Sequence, residues 1–191
     1  MTFPSRGDFS RRLNPEFAEM AFAHQRRVAE AALHANIFKA RKRLSHFVRE
    51  EAQSIARTGD VSWFFTSAEA PDTFEKLKAV YAQCAKHRMH LPIYDGASEN
   101  TIYTLPYHNH CFRFWHDIAH IQLDLDFSFE GEAEVARYHC DRVAMVFGMD
   151  SLEFKLMHID TFGQLIYHDK TGKFVDNQLE FALNLLKKDL E

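Results

Sequence analysis

Apolar residues recur at helical spacing along most of this 191-residue chain. Positions three and four residues apart lie on one face of an α-helix, so the pattern predicts a mostly α-helical protein. Asn14 and Gly59 mark the start and stop of the first helical stretch, and Asn36 is a candidate break that divides it into two helices. Further helices are predicted at residues 72–88, 108–126, 131–147, 151–168 and 174–190.

Two of these helices begin at residues whose side chains can accept a hydrogen bond from the first helical turn. Asp72 is the predicted N-cap of the 72–88 helix, and Ser151 is the predicted N-cap of the 151–168 helix. An unbroken α-helical period in the latter predicts one inward face, formed by Phe154, Leu156, Ile159, Phe162 and Ile166.

The stretch at residues 89–107 interrupts the helical pattern. It combines the turn signal Asp95-Gly96 with β-branched and aromatic residues, which is typical of a short β-hairpin or of a long loop. Only 7 Gly and 5 Pro occur in the chain, which argues against an all-β protein with frequent turns. We therefore expect residues 1–191 to form a single-domain bundle of about six helices, with a short β-hairpin near 89–107 as its candidate β element.

The composition is that of a globular protein. With 46% hydrophobic and 26% charged residues, the chain is neither a disordered tail nor a disulfide-stapled miniprotein. Cys84, Cys111 and Cys140 are odd in number and widely spaced, and the first residues form no apolar leader, so a reducing cytoplasm is the expected location. No stretch approaches 18 uninterrupted apolar residues, so no transmembrane segment is expected.

The charge is distributed unevenly along the chain. Residues 1–57, the basic N-terminal segment, hold 11 Lys and Arg against 6 Asp and Glu, whereas the remainder holds 12 against 21. The densest cluster, from Lys39 to Arg49, could contact a nucleic acid or an acidic protein partner. Because Ile37, Leu44 and Val48 lie in the same stretch at helical spacing, we favour a helix that packs on the acidic remainder and exposes its basic face.

The chemistry is concentrated in the predicted helix pair at residues 108–147. In a helix, His116 and His120 stand one turn apart on one face, with Asp117 beside them. An antiparallel second helix brings Glu132, in its first turn, towards the same face. Imidazole nitrogens and carboxylate oxygens are ligands of Zn²⁺, with Fe²⁺ or Mn²⁺ as alternatives, so the four residues predict a metal site.

The segment also resembles a known family. His116, Asp117, His120 and Glu132 reproduce the spacing H-D-x-x-H-x11-E, which is the zinc-ligand motif of a coenzyme Q (ubiquinone) biosynthesis protein family. Gly131 and Glu132, followed by an Ala/Val-rich helix, are similar to that family's G-E-x-A-x pattern. The resemblance spans residues 112–139 and implies a helical zinc protein that removes or oxidises a carboxyl-bearing ring carbon of a quinone precursor.

Several neighbours of the motif are candidates for supporting roles. Arg113, one turn before His116, is expected to position an acidic, partly apolar substrate, and Asp117 acts as metal ligand or as orienter of a ligand. His139 lies two turns after Glu132 on the same face, with Tyr138 beside it, and both are candidates to support the ligands, with His139 as an alternative ligand. The surrounding aromatic residues either line an apolar pocket or belong to a Phe-rich core: Phe112, Phe114, Trp115, Phe127 and Phe129.

The leading interpretation is a metal-dependent enzyme that acts on a small acidic, aromatic or quinone-like substrate. Two other function classes are alternatives to it. An HD-type phosphohydrolase would need a distant His, the His-Asp doublet and a later Asp, and this chain offers His87 or His90, His116 with Asp117, and Asp160 or Asp169. A non-catalytic helical binding module would use the basic N-terminal segment as its contact surface and a metal, if any, as a structural staple. The oligomeric state has no signal in the sequence.

Overall fold

The computed structural model describes residues 15–68 and 70–188. The chain divides into two compact units, residues 1–36 and residues 37–191. The described part of the first unit is helical and mostly exposed, including Met20 at 63% and Phe22 at 72%. The second unit contains all the elements that build the site described below. The expectation of a single domain stays a prediction, and Asn14 and Leu190 lie outside the described residues.

The protein is mostly α-helical, which confirms the predicted fold class. Its helices are α1 (Pro15–Thr58), α2 (Phe74–His87), α3 (Pro106–Leu123), α4 (Phe129–Phe147), α5 (Leu152–His158), α6 (Gln164–Thr171) and α7 (Gln178–Lys188). A π turn at Ile159–Gly163 joins α5 directly to α6, so these form one continuous helical segment. The described helices therefore number six when that segment is counted once.

The predicted break at Asn36 is wrong, because α1 runs without interruption from Pro15 to Thr58. No Gly or Pro occurs between these two residues, and Asn36 is exposed, where an asparagine lowers helix stability by only a fraction of a kcal/mol. The predicted stop at Gly59 is confirmed. The predicted cap Asp72 is one residue early: Thr73 caps α2, and Asp72 instead forms an ion pair of 2.7 Å with Lys76.

The predicted hairpin at residues 89–107 is also wrong. The stretch contains one strand, β2 (His90–Tyr94), whose partner is β1 (Ser62–Thr66), and the two strands run parallel with Phe64 opposite Pro92. Parallel strands need a crossover connection, and α2 supplies it. The partner strand lies 28 residues earlier in the chain, so the local turn signal at Asp95-Gly96 could not reveal the pairing.

The core of the second unit is built on the C-terminal part of α1. Ile37, Ala40, Leu44, Val48 and Ala52 are spaced three or four residues apart and are at most 2% exposed. Apolar residues of α3, α4 and α5 complete this core, among them Phe114, Trp115, Ile118, Val135, Val143 and Leu156. The amphipathic helix predicted around the basic cluster is therefore present.

Among the described helices, none has the length and apolar character needed to cross a lipid bilayer.

Candidate metal centre

A tight turn between α3 and α4 builds the site. Helix α3 ends at Leu123, and the next residue, Asp124, adopts a left-handed conformation (φ 52°) and donates its backbone N–H to the His120 and Ile121 carbonyls. Helix α4 begins after Ser128, whose hydroxyl accepts a hydrogen bond from the Gly131 amide. A Cβ atom at position 131 would lie 2.1 Å from the Asp126 carbonyl oxygen, so only glycine fits here. The turn therefore folds the first residues of α4 back onto α3.

The structure brings three of the predicted ligands together at this turn. The Nε2 atom of His116 lies 3.3 Å from Glu132 Oε2, and the Nε2 atom of His120 lies 3.4 Å from Glu132 Oε1. The two Nε2 atoms are 3.1 Å apart. One ligand atom from each residue lies within 4.8 Å of the other two, and this cluster of His116, His120 and Glu132 can hold a metal ion.

The hydrogen bond of the second ring nitrogen of His120 bears on whether the cluster suits a metal. His120 is fully buried, and its Nδ1 atom lies 2.9 Å from the Leu125 carbonyl oxygen. A carbonyl can only accept, so Nδ1 carries a proton, and in the neutral ring Nε2 presents its lone pair towards Glu132 and His116. Metal-binding histidines are commonly oriented in this way. Three electron-pair donors thus converge, and the donor set fits Zn²⁺ or Fe²⁺.

Glu132 carries the negative charge of the cluster, and the two histidines stabilise that charge. Burial alone would raise the pKa of Glu132, but hydrogen bonds and charge from His116 and His120 outweigh it and hold the pKa well below its usual range. Burial alone would lower the pKa of His116, but its hydrogen bond to Glu132 and the nearby Asp117 charge raise it above the ordinary value. Glu132 is therefore an ionised carboxylate, which is the form that binds metals.

Asp117 is not part of the cluster that the structure gathers. Consecutive residues of an α-helix point about 100° apart, so the neighbour of His116 cannot share its direction. Burial raises the pKa of Asp117 to about 6, against the opposing charges of His116 and His120. Asp117 thus contributes a nearby negative charge, and the cluster gathers three of the four candidate ligands expected from the sequence.

His139 and Tyr138 pack beside the cluster. The His139 ring stacks on His116 with centroids 5.5 Å apart and lies 4.1 Å from the centroid of Trp115. His139 is fully buried, neither of its ring nitrogens has a hydrogen-bond partner among the described residues, and burial holds its pKa well below the usual value. Tyr138 contacts His139 and Trp115 edge-on. Both residues therefore support the position of His116 through ring packing.

A cavity of about 890 Å³ opens beside the cluster, and His116 and Glu132 form part of its wall. Its aromatic lining comprises Tyr94, Phe112, Phe127, Phe129 and Phe174. Three of the five aromatic residues singled out in the sequence thus face the cavity, whereas Phe114 and Trp115 are buried in the core. Arg113 lines the same cavity, and its Nη1 atom donates to the backbone carbonyls of Tyr94 (2.6 Å) and Gly96 (2.8 Å).

The π turn supplies a polar wall that the helical period did not predict. An extra residue in the turn rotates the segment, so Asp160, Thr161 and Gln164 become buried and line the cavity, whereas Ile166, an expected inward residue, is 45% exposed. Such turns within α-helices occur frequently at functional sites. The sequence offered one signal for this turn, namely polar residues and Gly163 at the centre of an otherwise apolar pattern.

The arginines of the basic cluster from Lys39 to Arg49 form contacts with other residues of the second unit. Arg41 donates to the backbone carbonyls of residues 101, 102 and 103, and Arg43 forms an ion pair with the buried Glu153. Arg49 contacts His46 and Glu50. These contacts give the cluster a structural role, and a nucleic-acid or protein partner there stays a prediction.

The histidines required by the phosphohydrolase alternative lie elsewhere. His87 and His90 are exposed and belong to no metal-type cluster among the described residues. His120 and Glu132, which that alternative leaves without a role, are residues that His116 contacts.

Cys84, Cys111 and Cys140 are buried free thiols.

The site therefore defines a helical protein with a His/His/Glu cluster at the edge of an aromatic cavity. Comparisons with protein-family models, curated proteins and solved structures gave no match for the chain.

Proposed function

We propose that the protein is a metal-dependent enzyme that acts on a small molecule with an aromatic part. The metal is held by His116, His120 and Glu132, and the substrate occupies the adjacent cavity. The observation that carries this proposal is the shared wall, since His116 and Glu132 belong both to the cluster and to the cavity lining. A ligand in the cavity would therefore lie next to the metal.

The number of ligands supports catalysis over a structural role for the metal. Structural zinc sites are closed by four protein ligands, whereas catalytic sites have three and leave a position for water or substrate. With Asp117 outside the cluster, the described residues supply three. When bound, Zn²⁺ would supply Lewis-acid chemistry, and Fe²⁺ in the same donor set would supply redox chemistry.

The protein's own residues have separable roles in this proposal. His120 is oriented by the Leu125 carbonyl, and His116 is held by the His139 ring. The aromatic walls exclude water from the substrate's ring. The sequence resemblance to the coenzyme Q family adds the proposal that this ring is quinone-like.

Metal content tests the proposal. Chain purified without a His tag is measured by inductively coupled plasma mass spectrometry, beside the His116→Ala/His120→Ala and His87→Ala/His90→Ala double variants. We expect about one metal ion per chain in the wild type and in the second variant, and none in the first. Metal loss in the His87/His90 variant would favour the phosphohydrolase alternative. A folded wild type without metal would favour a non-catalytic binding module.

A further inference from the structure

One buried carboxyl group of the cavity has no part in the metal cluster. Asp160 lies on the π turn, is 7% exposed and lines the cavity. Its Oδ2 atom accepts a hydrogen bond of 3.1 Å from the Tyr103 hydroxyl, and its Oδ1 atom accepts one of 2.9 Å from the Gln164 amide. Each oxygen retains an unused lone pair, so the carboxyl group is fixed in place and can still accept a ligand's hydrogen bond.

No cation among the described residues forms an ion pair with Asp160. Among the described residues that line the cavity, Arg113 is the one Lys or Arg, and its Nη1 atom already donates to the Tyr94 and Gly96 carbonyls. Burial raises the pKa of Asp160 to about 6, although the Tyr103 and Gln164 hydrogen bonds and the charges of Arg113 and His116 oppose it. A buried carboxylate without an ion-pair partner is unfavourable, and a cation brought by a ligand would reduce that penalty.

Other carboxylates of the lining add negative charge to the cavity, and its basic residues are Arg113, His116 and His168. Besides Asp160 and the metal-binding Glu132, the cavity contains Asp169 and Asp176, both exposed at its rim. The aromatic rings that line the same cavity add the negative faces of their π-systems, which attract organic cations. A cavity with a buried carboxylate and aromatic walls favours a positively charged organic group over a carboxylic acid.

We infer that the cavity binds a small aromatic amine, whose ammonium group donates a hydrogen bond to Asp160 while its ring packs against the aromatic walls. Tyr103 and Gln164 are the residues that position the Asp160 carboxylate. This inference rests on the proposed function, because it names the ligand class of the same cavity.

The test uses three probes that share a ring and differ in charge: benzylamine, benzyl alcohol and benzoate. Their binding to the Zn²⁺-loaded chain is measured by isothermal titration calorimetry at about pH 8, where Asp160 is ionised. We expect benzylamine to bind at least about tenfold more tightly than benzyl alcohol, because a charge-assisted hydrogen bond is roughly twice as strong as a neutral one. Benzoate should bind most weakly of the three.

Asp160→Asn separates this contact from amine coordination to the metal. The substitution removes the charge and keeps the shape, so benzylamine affinity should fall to that of benzyl alcohol while metal content is unchanged. Asp141→Asn is the matched control, since Asp141 is exposed on α4 and outside the cavity lining. It should leave all three affinities at wild-type values.

Several results would overturn the inference. These are tighter binding of benzoate, equal binding of the three probes, binding of none, or benzylamine binding that survives Asp160→Asn. Each of them leaves the proposed function standing if the wild type holds its metal. Absence of metal from the wild type would instead refute the proposed function and the inference together.

Discussion

The guanidinium group of Arg41 donates a hydrogen bond of 2.8 Å to the backbone carbonyl of Tyr103, the residue whose hydroxyl donates to Asp160. The same guanidinium donates to the Ile102 carbonyl at 2.7 Å and to the Thr101 carbonyl at 3.2 Å. Helix α1 thus fixes the loop that carries Tyr103. A residue of the basic cluster therefore helps to hold in place the tyrosine that donates to Asp160.

Replacing Arg41 by Met should destabilise the protein, because three buried or half-buried carbonyls lose their donor. We expect a loss of about 2 kcal/mol in the free energy of unfolding, measured by urea denaturation. Lys39→Met on the same helix is the control, since Lys39 is exposed, and it should change stability by less than about 0.5 kcal/mol. Equal effects of the two substitutions would show that the loop does not depend on Arg41.

The ion pair between Arg43 and Glu153 joins a largely exposed guanidinium to a carboxylate that is 2% exposed. Arg43→Met should lower the free energy of unfolding by about 2 kcal/mol or more, because Glu153 then remains buried without a counter-charge. The double variant Arg43→Met/Glu153→Met should recover much of this loss. A double variant whose loss equals the sum of the single losses would contradict a direct coupling.

Glu132→Gln should abolish tight metal binding and keep the fold. Losing a residue that merely supports a ligand weakens metal binding about 10- to 100-fold, so losing a charged ligand should weaken it at least about 100-fold. Zn²⁺ at about 100 times its Kd should stabilise the wild type by about 2.7 kcal/mol, and this should vanish in the variant. Thermal unfolding with Zn²⁺ or with chelator measures both effects. Glu130→Gln, an exposed change in the same helical turn, should retain the wild-type response.

The buried Asp160 should make stability depend on pH in the acid range. Its pKa is raised to about 6 in the folded protein from an ordinary value of 3.8, so the folded state binds the proton more tightly than the unfolded state does. The resulting stabilisation is complete below the unfolded pKa and is lost as the pH rises through about 6. Between about pH 4 and pH 7, the wild type should lose on the order of 3 kcal/mol relative to Asp160→Asn.

Urea unfolding of both chains in the presence of chelator measures this difference. Asp169→Asn is the control, because Asp169 is exposed and the substitution should give a profile parallel to the wild type. Parallel profiles for wild type and Asp160→Asn would show that Asp160 has the same pKa in the folded and unfolded states.

The sequence predicted those features of the fold and of the site that depend on residues close together in the chain. His116 and His120 share a helical face because they are four residues apart, and Glu132 joins them because Gly131 permits a short turn between two helices. Asp117 shows the limit of this reasoning, since spacing along the chain identifies candidate ligands and the helical rotation decides which of them converge.

The features that the sequence did not predict depend on distant contacts or on a departure from the ideal period. The parallel pairing of β1 with β2 requires knowledge of the α2 crossover, which no local turn signal contains. The absence of a break at Asn36 reflects the weak effect of a single exposed asparagine on a long helix. The sequence indicated Asp160 only as a candidate residue of the phosphohydrolase alternative, because an unbroken α-helical period gave it no place on the inward face.

The π turn divides one helical segment into two parts with different tasks. Before it, Leu156 and Met157 are fully buried in an apolar interior, and after it Gln164 faces the cavity. A single additional residue has thus rotated the side chains that follow it about the helix axis, without an intervening loop. Removal of one residue from Ile159–Gly163 would restore the regular period, turn the polar residues that follow away from the cavity and leave the buried apolar part of the segment intact. An insertion of this kind lets a helix present polar groups to a cavity at one end while the other end keeps its apolar packing.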